Sequence, residues 1–330
     1  RAILKLKARD RDAVAVGAAL AAVADRRLGQ AYAKWGAGLG LTGSHVREIA
    51  IYRQRDPRFR RHTPHVLATR IDPRGDTWAV LLERVDEAIV MDAVDRPDRW
   101  RAAHIAAAID GLAALHAIWW GRERQLAVRP WIGDVRSTFT MRRMAPLWET
   151  LADHAAPAFA SWTDGALAAL PRTLIDRLPA WRPALERLPQ TLIHNDFNPR
   201  NVCLRRRGQR LTLCAFDWEL ATIGAPQRDL AELLCFVCGP DATEDEVARW
   251  IERHRHALEI ETGAAIDPAL WRAGFAAALY ELLIDRLAVY ALVHRVRPQP
   301  FLPRVVRTWL RLYGFFRMTE GLGTRDDVSR

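Results

Sequence analysis

Leu192-Ile193-His194-Asn195-Asp196-Phe197-Asn198-Pro199-Arg200-Asn201-Val202 is followed, across a short apolar hairpin, by Asp217. Thr191-Leu192-Ile193 reads as a strand entering a loop, and Val202-Cys203-Leu204 as a strand leaving it. After the charged turn Arg205-Arg206-Arg207-Gly208-Gln209-Arg210, the apolar run Leu211 to Phe216 returns as a third strand and delivers Asp217 at its end. An H-x-D-x-x-x-x-N string alone is weak, because Asp and Asn after a strand are ordinary turn chemistry. The flanking strands give it weight, since they bring Asn201 and Asp217 side by side at the mouth of one hairpin.

Those residue types suit phosphoryl transfer. Its loose transition state asks the protein to position an acceptor hydroxyl, neutralise phosphate charge through metal and exclude water. Asp196, on a loop that projects into a cleft, is the candidate to accept or orient the hydroxyl proton. Asn201 offers an amide oxygen and Asp217 a carboxylate, and Mg2+ favours such sparse oxygen ligation. His194 reads as a brace that holds the loop through backbone hydrogen bonds.

The run from His194 to Asn201, then Phe216-Asp217-Trp218-Glu219, then Asp229-Leu230-Ala231-Glu232-Leu233-Leu234, resembles the aminoglycoside phosphotransferase and choline kinase-like superfamily, which includes ecdysteroid kinase-like enzymes. The resemblance implies an α+β, protein kinase-like fold of two lobes, a small β-rich N-terminal one and a large, mostly helical C-terminal one. It implies Asp196 as catalytic aspartate, Asn201 and Asp217 as metal ligands, Asp229 as a structural carboxylate tying the loop down, and ATP and Mg2+ as cofactors. Glu219 reads as a loop-bracing or solvated residue with a lesser claim to metal or substrate.

Upstream, Ala2-Ile3-Leu4-Lys5-Leu6-Lys7 alternates apolar and charged residues, the period of a strand that carries a lysine toward phosphates. Lys5 is the first choice and Lys7 the alternative. Ser44 to Tyr52 reads as a helix with Ser44 as N-cap, and Val46, Ile49 and Ala50 follow helical spacing. Glu48 lies off that stripe; its E-x-x-x-Y context is similar to the family's, which implies pairing with the strand lysine. Val66 to Ile71, the turn Asp72 to Asp76 and Trp78 to Leu82 form a hairpin. By the resemblance, the backbone at Glu83 to Val85 is the hinge that binds the adenine edge. Pro97 is expected to open a long helix whose end, Leu112-Ala113-Ala114-Leu115-His116-Ala117, is similar to the family's L-A-x-L-H-A, with His116 a packed structural residue.

The chain starts at Arg1 and the lysine strand begins at once, leaving no room for the glycine-rich hairpin of the family. The expectation is a fragment truncated at its start, or a protein without that lid; the second case motivates the alternative of a catalytically silent, nucleotide-binding relative. Gly36 to Gly43 is glycine-rich but fits no phosphate-binding motif, and it reads as a flexible connector.

At 330 residues, half of them hydrophobic, the chain can bury one large core and a smaller one. A lobe boundary near residue 86 divides it into 1–86, binding nucleotide, and 87–330, holding catalytic loop and acceptor. The longest apolar run, Ala13 to Ala24, is too short to span a bilayer and reads as an alanine-rich helix, so no membrane association and a cytoplasmic location are expected. Four cysteines sit in apolar settings and read as buried thiols. The net charge of +10 comes from arginines spread along the chain without interleaved stacking aromatics, which argues against nucleic acid and, mildly, against a polycationic acceptor.

Residues 126–188 read as proline- and tryptophan-punctuated helices flanking the cleft. Thr243 to Glu246 is a capping-box match opening a helix that ends by Gly263, followed by helices from Pro268 to His294 and Pro303 to Phe316. Trp271, Tyr280, Glu281, Asp285 and Tyr290 could line a pocket, but at helical spacing they read as core and are not assigned to the acceptor. The expectation is a kinase acting on a hydroxyl of a small molecule, with the acceptor, the choice of ATP over GTP and the oligomeric state open.

Overall fold

The computed structural model describes residues 1–133 and 135–318, so the last residues of the expected second lobe lie outside it. A three-stranded antiparallel sheet is built from β1 (Ala2–Leu6), β2 (Val66–Asp72) and β3 (Thr77–Glu83), with β3 central. Its register sets Lys5 opposite Val80. Lys5 and Lys7, two residues apart, project from the same side of the chain, as strand geometry requires.

Helices α1 (Asp10–Ala24), α2 (Arg26–Trp35), α3 (Ser44–Tyr52) and α4 (Pro57–Arg61) lie between β1 and β2. Asp25 caps α2 by accepting from the Leu28 N–H, and α1 and α2 pack on each other. Ser44 is not the cap of α3. Gly43, at φ 70°, holds that position and Ser44 is the first helical residue, because a left-handed residue is needed to turn the chain into the helix. The expected flexible connector is instead a 3-10 turn, Gly36–Leu39. The chain just beyond that turn is pinned by the buried Arg47 guanidinium, which donates to the carbonyls of Gly40, Thr42, Trp131 and Glu219.

The rest is mainly helical: α5 (Ala102–Ala117), α6 (Glu123–Ala127), α7 (Thr138–Arg143), α8 (Ala145–Trp162), α9 (Leu170–Asp176), α10 (Leu178–Trp181) and α11 (Pro183–Glu186) precede the loop strands. Pro97 opens only a 3-10 turn, Pro97–Arg99, and α5 starts at Ala102, where the His104 imidazole caps the Arg101 N–H. After the loop come α12 (Gln227–Val237), α13 (Glu244–Thr262), α14 (Pro268–Leu282), α15 (Ala288–Val296) and α16 (Leu302–Phe316). The single helix expected from Pro268 to His294 is two helices joined by a π-turn, Leu283–Leu287. α1 and α2 reach across to pack on α15 and α8, so the segment between β1 and α3 touches the helical layer.

One continuous apolar core runs through these helices, with Trp148, Trp218, Trp271 and Trp309 fully buried. All four cysteines are buried free thiols. Among the described residues no helix is long and apolar enough to cross a membrane.

Candidate active site

Two short ladders shape the loop. β4 (Thr191–Ile193) pairs with β7 (Thr222–Gly224), and β5 (Val202–Arg207) pairs with β6 (Arg210–Ala215). Phe216 N–H donates to the Asn201 carbonyl at 2.9 Å, closing the hairpin mouth that sets Asn201 and Asp217 near each other in the chain's path. Asp217 and Asn195 are both left-handed, at φ 65° and 61°. Asp and Asn tolerate that region best among residues with a side chain, yet it carries strain, and strain held by its surroundings is common at functional sites.

The loop is tied from below. Asp229, fully buried at the start of α12, accepts from the His194 N–H at 2.6 Å and the Asn195 N–H at 2.7 Å, and His116 Nε2 lies 3.1 Å from it. Burial opposes its charge, but the His116 contact and the loop amides hold its carboxyl below the usual range. His194 Nε2–H donates to the Phe216 carbonyl at 2.9 Å, a brace between the two arms of the site. His116 is buried within this same support, also contacting His254.

Asp196 is held by two side chains of its own loop and one from α15. Its Oδ2 accepts from Asn201 Nδ2 at 2.7 Å, and its Oδ1 from Asn198 Nδ2 at 3.0 Å and the Tyr290 hydroxyl at 2.6 Å. Burial would raise its pKa; the guanidiniums of Arg286 and Arg200 and the Tyr290 hydroxyl win, keeping the carboxyl well below the usual range. Arg286 Nη2 donates to the Asn195 carbonyl, and Arg200 stacks over the Tyr290 ring while donating to its hydroxyl. Glu232, fully buried, pairs with Arg228 and accepts from Asn198. Asn198, Arg200, Glu232 and Tyr290 escaped the sequence reading as site residues. Asn198 and Arg200 could have been found by their place in the loop, whereas Tyr290 lies 94 residues away on a helix that looks like core.

The second cluster lies between sheet and loop. Glu48, fully buried on α3, receives Lys5 Nζ on one carboxylate oxygen at 2.9 Å and Lys7 Nζ on the other at 2.7 Å. Lys5 also reaches Asp217 at 2.5 Å, and Lys7 pairs with Glu219. The carboxylates of Glu48 and Asp217 raise the Lys5 pKa against the opposing effect of burial. Both candidate lysines thus share Glu48, and they differ in access: the Lys5 side chain is 29% exposed and that of Lys7 4%.

Oxygen atoms of Glu48, Asp217 and Glu219 lie within 4.8 Å of one another. Such an all-oxygen set suits a hard divalent cation, and the half-exposed carboxylates of Asp217 and Glu219 are the accessible members. Asn201 commits its Nδ2 to Asp196, which leaves its amide oxygen as the atom to face a cation. Glu83 and Val85 do not join this cluster. The Glu83 carboxylate accepts from the His65 N–H and pairs with Arg205 at 2.7 Å, its own N–H bonds the His65 carbonyl, and Val85 lies past the end of β3.

The profile of the phosphotransferase enzyme family matches residues 44–273. The chain is also similar in structure to a Ralstonia eutropha protein described as an aminoglycoside phosphotransferase, at 16% identity and a TM-score of 0.49, covering 81% of each chain. A choline/ethanolamine kinase family protein from Mesorhizobium loti gives 16% identity and 0.43, covering 82% of this chain and 83% of its own. A Plasmodium vivax ethanolamine kinase gives 12% identity and 0.47, covering 82% and 71%. A comparison with curated proteins finds no match. The family match spans more than two thirds of the sequence and takes in the α3 glutamate, the Asp196 loop and Asp217: the chain belongs to the phosphotransferase enzyme family.

Proposed function

We propose that this protein transfers the γ-phosphate of ATP to a hydroxyl of a small molecule, with Mg2+, residues 1–86 forming the nucleotide lobe and 87–330 the catalytic and acceptor lobe. The observation that carries the reading is the pair of facing clusters: an ionised Asp196 locked by Asn201 and Tyr290, and a lysine–glutamate pair that reaches Asp217. In the phosphotransferase role, Asp217, Asn201 and Glu219 hold the metal, which when bound neutralises charge on the transferring phosphate. Lys5, fixed by Glu48, directs its ammonium at the phosphates, and the chain at Glu83 to Val85 borders the adenine.

Asp196 accepts the hydroxyl's hydrogen bond and aims its oxygen at the γ-phosphorus. As that oxygen–phosphorus bond forms, the bond to the ADP oxygen breaks, and the hydroxyl proton passes through Asp196 to solvent. A carboxyl held ionised so firmly is a weak base, so its main task is orientation, which suits a transition state that gains little nucleophile bonding. The test is Asp196→Asn. Acceptor phosphorylation should fall about 100- to 10,000-fold while nucleotide binding persists. Unchanged turnover would remove Asp196 from the mechanism.

A further inference from the structure

We propose that the acceptor is a small hydroxylated anion, a hydroxycarboxylic acid or an alcohol phosphate, drawn into a cavity between α2 and α7 by Lys34 and Arg143. This inference rests on the phosphotransferase reading above.

Lys5 and Glu48 pair across 43 residues of sequence, and α1 and α2 occupy that interval. The two helices leave the sheet and pack on α8 and α15, so they roof part of the helical layer. The end of α2 and the 3-10 turn after it form one wall of a cavity of about 320 Å3, through Lys34, Trp35 and Gly38. Arg136, Thr140 and Arg143 form the facing wall. That volume suits a metabolite rather than a macromolecule.

Three cations line the cavity, and among the described lining residues none is acidic. Arg136 is paired with the buried Asp285, so its charge is already answered. Lys34 and Arg143 are exposed and rest on the rings of Trp35 and Phe139. Two exposed cations beside an aromatic wall and a hydroxyl make a place for a carboxylate or phosphate, which Arg can take with two parallel hydrogen bonds. A cationic amino alcohol would meet like charge there.

Both walls of the cavity continue to residues that contact the Asp196 loop. Gly40 ends the same turn, and a Cβ built on it would lie 3.9 Å from both Asn195 Nδ2 and the Leu220 carbonyl. Asn195 directly precedes Asp196. From the facing wall, Arg136 leads through Asp285, Arg228 and Glu232 to Tyr290, whose hydroxyl bonds Asp196. The acceptor's charged group would therefore sit on a wall tied to the base from two directions.

The experiment is calorimetric titration of the full chain with malate, sn-glycerol 3-phosphate, inorganic phosphate, glycerol and choline at fixed ionic strength. It is repeated on the double charge reversal Lys34→Glu/Arg143→Glu and on Arg143→Lys. Both positions are exposed, so circular dichroism should show an intact fold. The expected result is binding of malate or of the phosphate compounds but not of choline, weakened at least tenfold by the charge reversal and by a smaller factor in Arg143→Lys, which keeps the charge but loses the paired hydrogen bonds. Malate alone would identify a carboxylate acceptor, and sn-glycerol 3-phosphate alone a phosphorylated one. Binding of inorganic phosphate insensitive to the reversal, or of neither anion, would overturn the inference. Thermal stabilisation by Mg-ATP, measured on the same preparations, separates the two claims: if it persists, the phosphotransferase reading stands without the anionic acceptor.

Discussion

The Tyr290 hydroxyl donates to Oδ1 of Asp196 at 2.6 Å, joining α15 to the Asp196 loop across 94 residues. The same hydroxyl accepts from Arg200 Nη2 at 2.5 Å. Tyr290 therefore fixes the rotamer of the carboxylate and the position of the guanidinium beside it. Tyr290→Phe removes a charge-assisted hydrogen bond worth about 1.5–3 kcal/mol. We predict that kcat falls roughly 10- to 100-fold with little change in KM for ATP. Steady-state kinetics check this, and a rise in the ATP KM alone would assign Tyr290 a different role.

Lys5 and Lys7 share Glu48, but only Lys5 is open to a ligand and touches Asp217. Lys5→Met should lower kcat/KM for ATP by about 100- to 1,000-fold, the loss typical of one electrostatic donor at a transition state. Lys7→Met should act chiefly on stability, since it leaves one oxygen of a fully buried carboxylate without its cation. Kinetics of both variants, with denaturant midpoints, decide the assignment; equal kinetic losses would show that the lysines work as a pair.

Asp229, with no exposure, holds the loop through two backbone amides and also contacts His116. Asp229→Ala leaves two buried amides without an acceptor and should cost about 3–5 kcal/mol. Urea unfolding measures this directly. A loss below about 1 kcal/mol would mean that the loop holds its form by other means.

His62 is buried against β6, its Nδ1–H donating to the Leu213 carbonyl at 3.3 Å, and burial lowers its pKa to about 4. The folded state thus binds this proton less readily than the unfolded chain, so the stabilising contribution is complete above about pH 6.5 and is lost as pH falls toward 4. The buried His254, also shifted down by burial and by its neighbour His116, acts in the same direction. We predict a loss on the order of 3 kcal/mol from His62 across that window, and a flatter profile for His62→Gln. Chemical denaturation from pH 7 to 4 tests it, and identical pH slopes for the two proteins would contradict it.

The loop and its hairpin were legible because local patterns specify them: apolar runs of strand length, a charged turn and polar residues where the chain must leave a strand. His194 could be placed as a support because a loop histidine beside a strand has backbone partners in reach, whereas Asp229 was placed only through the family resemblance of the Asp229-Leu230-Ala231 run. Ser44 and Pro97 misled for a local reason as well. Each has the chemistry to start a helix, but Gly43 and the Arg101–His104 contact define the starts. Gly36 to Gly43 looked mobile because glycine permits many conformations, while the restraint comes from Arg47 several residues later. The contact of Tyr290 with Asp196 was beyond reach from sequence. Tyr290 has the spacing of a core residue, its ring is buried, and only the meeting of α15 with the loop gives its hydroxyl a task.

The most direct test of the central claim is thermal unfolding of the wild type, Asp217→Ala and Asp196→Asn with Mg-ATP and with ATP in EDTA. A ligand that binds only the folded chain at 100 times its Kd stabilises by about 2.7 kcal/mol, a shift of several degrees in a protein of this size. The account predicts that Mg-ATP gives that shift in the wild type and in Asp196→Asn, that EDTA abolishes it, and that Asp217→Ala lacks it. No stabilisation of the wild type, or an equal shift in Asp217→Ala, would contradict it.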